Sequence, residues 1–110
     1  MNYEVRITRA AERDLNSSVD YIEHVLLNAQ AADTLIRETE RAINELTTFP
    51  AKNAVVDDPV LKAWGIRFVI IRNYLAFYII SEEEKRVDIV RFLYGKRDWI
   101  SILKQGFSPA

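Results

Sequence analysis

The chain has 110 residues, with 15 Lys or Arg against 16 Asp or Glu, a single His and no Cys. A chain of this length makes one domain, residues 1–110, and buries roughly 65% of its unfolded surface in one core. The missing Cys excludes disulfides and Cys-based metal sites or nucleophiles, and one His nearly excludes zinc centres and Ser-His-Asp chemistry. No metal or other cofactor is expected. The N-terminus is charged from Glu4 onward, unlike a signal peptide, and no apolar run approaches a membrane span. A cytoplasmic location is the expectation. The charge is unevenly distributed. Residues 1–50 hold five Arg against nine acids, whereas residues 51–110 hold ten Lys or Arg against seven acids. The domain is polarised, with an acidic first half and a basic second half, which acidic long helices and basic strand ends would equally give. A net charge of −1 argues against strong nonspecific binding to nucleic acid.

In chain order, "YEVRIT" (3–8) alternates apolar and polar, with Tyr3, Val5 and Ile7 on one face, and predicts a strand. Thr8 suits the N-cap of the helix that follows. Leu15, Val19, Ile22 and Leu26 recur at helical spacing from Ala10 to about Leu27. After a turn at "LNAQ", a second helix carries Leu35, Ala42, Leu46 and Phe49 along one stripe until Pro50 stops it. So short a link predicts an antiparallel helical hairpin. Residues 51–63 read as the chain's one loop. Strand patterns follow at "GIRFVII" (65–71), "YLAFYII" (74–80) and "VDIVRFLY" (87–94), with links short enough for an antiparallel meander. A last helix is predicted over 97–104, before a tail ending in "GFSPA". The order β-α-α-β-β-β-α defines an α+β fold with the hairpin on one face of an antiparallel sheet and the other face partly open. Val55, Val56 and Leu61 in the loop are expected to pack on the core.

The chemistry concentrates in "RFLYGKRDW" (91–99), three basic residues and two large aromatics around Gly95. Arg67, Arg91, Lys96 and Arg97 are candidates to converge at one end of the sheet, where Arg forks suit phosphate. Tyr94 and Trp99 are candidates to stack on unpaired bases, with Arg72 as a further RNA contact. Each has a plainer reading beside it. Arg72 reads equally as a solvated turn residue, Trp99 as packing for the last helix, Tyr94 as a core lid and Asp98 as that helix's cap. His24 lies off the apolar stripe and reads as a surface residue.

"ITRAAERDL…YI", "INELTTFP", "GIRFVIIRNYLAFYII" and "VDIVRFLYGKRDWISIL" together resemble the RelE/ParE superfamily of bacterial type II toxins. The resemblance spans nearly the whole chain, and the aromatic–Gly–basic–Arg–Asp strand end is its most specific part. It implies a growth-arresting toxin neutralised by a cognate antitoxin protein. RelE-type members cleave mRNA on the ribosome. On that pattern Arg97 offsets developing phosphate charge, Arg67 and Arg91 assist, and Tyr94 or Lys96 moves a proton. ParE-type members instead poison DNA gyrase without hydrolysis. Leu75 stands where RelE-type nucleases often carry Arg, and Ile102 or Leu103 where some carry Tyr. "YLAFY" is closer to the ParE type. The "YGKR" cluster tips the expectation slightly to the nuclease, with the gyrase poison and a non-toxic antitoxin-binding scaffold as alternatives.

Overall fold

Thr8 is the joint between the first strand and the first helix. Its hydroxyl accepts from the Ala11 N–H as an N-cap and donates to the Val90 carbonyl. The computed structural model describes residues 2–106, so residues 107–110 of the expected tail lie outside the described residues. Its elements are β1 (Glu4–Ile7), α1 (Arg9–Asp20), a π-helical turn (Tyr21–Val25), α2 (Ala29–Leu46), a 3-10 turn (Pro50–Lys52), α3 (Pro59–Ala63), β2 (Arg67–Ile71), β3 (Tyr74–Ser81), β4 (Arg86–Tyr94) and α4 (Trp99–Gly106). The α+β class stands.

The sheet order is β1-β4-β3-β2. The meander β2-β3-β4 is antiparallel as expected, but β1 runs parallel to β4, pairing Glu4 with Arg86 through Ile7 with Ile89. The sheet is therefore mixed rather than antiparallel. Past Thr8 the chain continues along β4 as α1, whose Asp14 carboxylate accepts the Phe92 N–H that a longer strand would have taken. A bulge at Phe77/Tyr78 leaves Val90 as the extra residue on β4, since Phe77 pairs with Arg91 and Tyr78 with Ile89.

One face of the sheet packs on the helical hairpin through Ala11, Leu35, Ala42, Leu46, Ile71, Ile89 and Phe92. The expected single helix to Leu27 ends as α-helix at Asp20 and continues as the π turn, leaving Leu26 55% exposed instead of in the stripe. Helix α2 stops at Leu46, where the Thr47 and Thr48 hydroxyls donate to the Asn44 and Glu45 carbonyls, and Phe49 is 60% exposed.

The other face is not open. Val56, Leu61, Ile66, Phe77, Val90, Leu93 and Leu103 form a second core there. The segment expected as loop supplies the cover. Val56 and Ile66 join by a backbone bond, and Asp58 caps α3 by accepting from the Val60 and Leu61 N–H groups. Lys104 of α4 pairs with Asp58 at 3.2 Å and ties the two covering helices together. Two short elements bury that face, α3 chiefly through Leu61 and α4 through Leu103. The expectation that Val56 and Leu61 pack on the core holds, both being fully buried.

Candidate functional site

Two turns meet at one end of the sheet. The β2–β3 turn is Arg72–Asn73, with Arg72 at a φ of 58°, and the chain leaves β4 through Gly95 and Lys96. Tyr74 and Tyr94 are register partners, and the Gly95 N–H donates to the Asn73 carbonyl at 2.8 Å. Gly95 suits that approach, because a Cβ there would sit 3.2 Å from the Asn73 oxygen and the turn would have to give slightly. The Arg97 N–H then donates to the Tyr94 carbonyl and closes the next turn. The Asp98 carboxylate accepts the Ser101 N–H, the capping role expected of it.

The aromatic residues at this end are arranged on each other. The Tyr74 ring lies on Phe92 at 5.1 Å and 15°, and Tyr94 meets Tyr74 edge-on at 5.5 Å and 66°. Between these rings and the helical hairpin runs an open cleft of about 870 Å³. Ser17, Ser18, Tyr21, Ile22 and Leu26 form one wall and Asn73, Tyr74, Phe92, Tyr94 and Arg97 the other. The π turn swells the end of the first helix and presents Tyr21 to the cleft, 53% exposed. Asp14 also borders it, but its charge is matched. Arg91 clamps it with Nε at 2.7 Å and a terminal nitrogen at 3.0 Å, and those bonds hold the guanidinium in its charged form more firmly than usual.

Of the residues that the sequence nominated, Tyr94 and Arg97 line this cleft together. Lys96 is exposed on the same turn, and Arg72 on the adjoining one. The other nominated residues are elsewhere or engaged. Arg91 is bound to Asp14, as above. Arg67 pairs with Tyr78 four register steps from Tyr74, about 13 Å along the strand. There its guanidinium donates to the carbonyls of Ala51 and Asn53, pinning the chain that covers the second core. Trp99 packs on Phe77 at 5.3 Å, the plainer of its two readings. His24 is exposed, 3.9 Å from Glu23. Sequence reasoning missed Asp14, Ser17, Ser18, Tyr21 and Asn73. The polar i, i+3, i+4, i+7 set at 14, 17, 18 and 21, one helix face, could have signalled the first four, and nothing of the kind marked Asn73. No group of His, Cys, Asp or Glu among the described residues could hold a metal ion, and no described helix is long and apolar enough to cross a membrane.

The architecture is a four-stranded mixed sheet with a helical hairpin on one face and an aromatic cleft holding Arg97 at its end. Residues 5–99 match the family described as "ParE toxin of type II toxin-antitoxin system, parDE". The chain belongs to that family and is a toxin of the type II toxin–antitoxin class. It is also similar in fold to two solved complexes. One is the chromosomal ParDE system from P. aeruginosa, at TM-score 0.66 and 19% identity, covering 84% of this chain and 95% of that one. The other is the RelBE2 toxin–antitoxin complex from Mycobacterium tuberculosis, at TM-score 0.60 and 22% identity, covering 86% and 99%. No curated protein matches the chain in sequence.

Proposed function

We propose that this toxin acts by binding rather than by hydrolysis, with DNA gyrase as its target. The observation that carries the reading is that two of the four cations nominated for catalysis are withdrawn from the sheet end. Arg67 and Arg91 have internal roles, one under the covering chain and one on Asp14. Arg97 and Tyr94, with Lys96 on the same turn, remain as a contact surface at the sheet end. A phosphoryl-transfer site needs several charges convergent on one reacting group, and binding does not. Family membership favours the same reading over the RelE-type nuclease to which the "YGKR" cluster had pointed.

The antitoxin partner fits a different surface. The outer edge of β2 is covered at its start, where the Phe68 N–H donates to Ala54. Beyond that point Ile70 is 67% exposed, beside a groove bordered by Glu38, Arg41, Glu45 and Arg72. An extended antitoxin segment would add there as a strand.

The test sets purified toxin against gyrase supercoiling and, separately, against message on translating ribosomes. Supercoiling should fall with toxin dose while the message stays whole. Cleaved message with supercoiling untouched would return the protein to the nuclease class. Unimpaired growth on expression of the toxin alone would leave only an antitoxin-binding scaffold.

A further inference from the structure

The fifteen Lys and Arg side chains are not equally committed. Among the described residues, eight have a carboxylate within 4.0 Å. Arg67 is held by two carbonyls instead. Of the remaining six, Arg9, Arg13 and Lys62 lie on α1 and α3, whereas Arg72, Lys96 and Arg97 all lie on the two turns joined by the Gly95–Asn73 bond. Three exposed cations with no acidic partner therefore sit on one braced unit at the end of the sheet.

From this we infer that the Arg72–Lys96–Arg97 turn pair contacts the phosphate backbone of duplex DNA, so that the toxin engages gyrase together with its DNA. Unpaired cations lose no internal ion pair when they meet a phosphate, and the counterions that they displace supply the affinity. Duplex is favoured over single strands by the rings beside them. Gripping unpaired bases requires free aromatic faces. Here Tyr74 is stacked on Phe92, Tyr94 is turned edge-on to Tyr74, and Trp99 is packed on Phe77. Of these residues only Tyr94 is exposed, one ring being too few to hold a run of unpaired bases. The three cations beside it position a protein on a backbone without reading sequence. The contact stands on the charge arrangement alone; its setting in the cell rests on the gyrase reading.

The experiment is fluorescence anisotropy of the purified toxin with a short mixed-sequence DNA duplex, across salt, and with single-stranded RNA of the same length. Three phosphate contacts give a slope of log K against log salt of about −2.7, a roughly forty-fold loss between about 50 and about 200 mM salt. Arg72→Gln, Lys96→Gln and Arg97→Gln should each reduce the slope by about 0.9. Arg9→Gln should leave it unchanged, and the triple variant should show no salt-dependent binding. Duplex binding that survives in the triple variant, or tighter binding to RNA than to duplex, would overturn the inference. So would an undetectable interaction of the unsubstituted protein with duplex. Supercoiling assays on the same proteins separate the two readings. If the triple variant inhibits gyrase undiminished, joint engagement of gyrase and its DNA through this turn pair fails and the gyrase target stands. If duplex binding behaves as stated and no protein inhibits gyrase, the contact stands and the target fails.

Discussion

Asp14 satisfies three donors at once: two nitrogens of Arg91 and the N–H of Phe92. The pair is mostly withdrawn from solvent, with side-chain exposures of 18% for Arg91 and 15% for Asp14. Removing the carboxylate leaves a guanidinium and a strand-edge N–H without partners. Asp14→Ala should therefore destabilise the protein by about 2 kcal/mol, within the range for orphaned buried donors. Chemical denaturation measures this directly, and a loss below about 0.5 kcal/mol would mean that water replaces the carboxylate. Arg72 presents the opposite case. A non-glycine residue at a φ of 58° carries strain of about 1–2 kcal/mol, against about 0.5–1 kcal/mol of added chain entropy for Gly. Arg72→Gly should come out about 0.5 kcal/mol more stable and weaker on DNA. A variant that gains neither stability nor loses binding would show the turn to be unstrained and idle. Arg72 was legible as a solvated turn residue, but the role of Asp14 was not. Arg91 was visible as a cation, but its partner lies 77 residues away. Whether a charge is free or paired is settled only by the fold.

The helical hairpin and the meander were legible because each repeats a period over several turns or pairs, with Pro50 and Gly95 as punctuation. The cover of the second face was not. Helix α3 has five residues, too few to display a 3.6 period, and its apolar side reduces to Leu61 and its neighbours. Its start, "DDPV", does hold the signal of an acidic cap before a Pro. That cap predicts a pH dependence. The Leu61 N–H first, then Lys104 and the Val60 N–H, hold the Asp58 carboxyl below its ordinary range. A depressed carboxylate stabilises the folded state above its unfolded value, about 3.9, and the stabilisation disappears as pH falls through the folded value. Asp58→Asn keeps an acceptor for the cap but loses the charge facing Lys104. The urea midpoints of parent and variant should differ at neutral pH and converge below about pH 4. Glu82, held low by the Tyr3 hydroxyl, titrates in the same window in both proteins and cancels in that difference. A gap that is constant with pH would assign the effect to geometry rather than to charge.

At the scale of the molecule, one sheet serves two cores, and its middle strands contribute to both. β4 places Ile89 and Phe92 on the hairpin side and Val90 and Leu93 on the covered side. The bulge permits this, since the extra residue shifts the alternation partway along the strand. A sheet shared in this way should couple the two faces into one unfolding event, although their covers are unlike: two long helices on one side, and two short ones with extended chain on the other. Leu46 and Leu103 test the coupling because each is almost wholly buried, on opposite faces. Leu46→Ala and Leu103→Ala should each cost about 3 kcal/mol, with the denaturant slope unchanged in both. The double variant should lose the sum, as distant sites without shared partners do. Amide exchange provides the sharper check. Under shared unfolding, Leu103→Ala speeds exchange of the most protected amides in β3 and β4 as much as Leu46→Ala does. If Leu103→Ala speeds only α3 and α4, the cover opens on its own. The sheet end at Tyr94 and Arg97 would then lean on a detachable element, and toxicity would fall with Leu103→Ala well before the hairpin core unfolds.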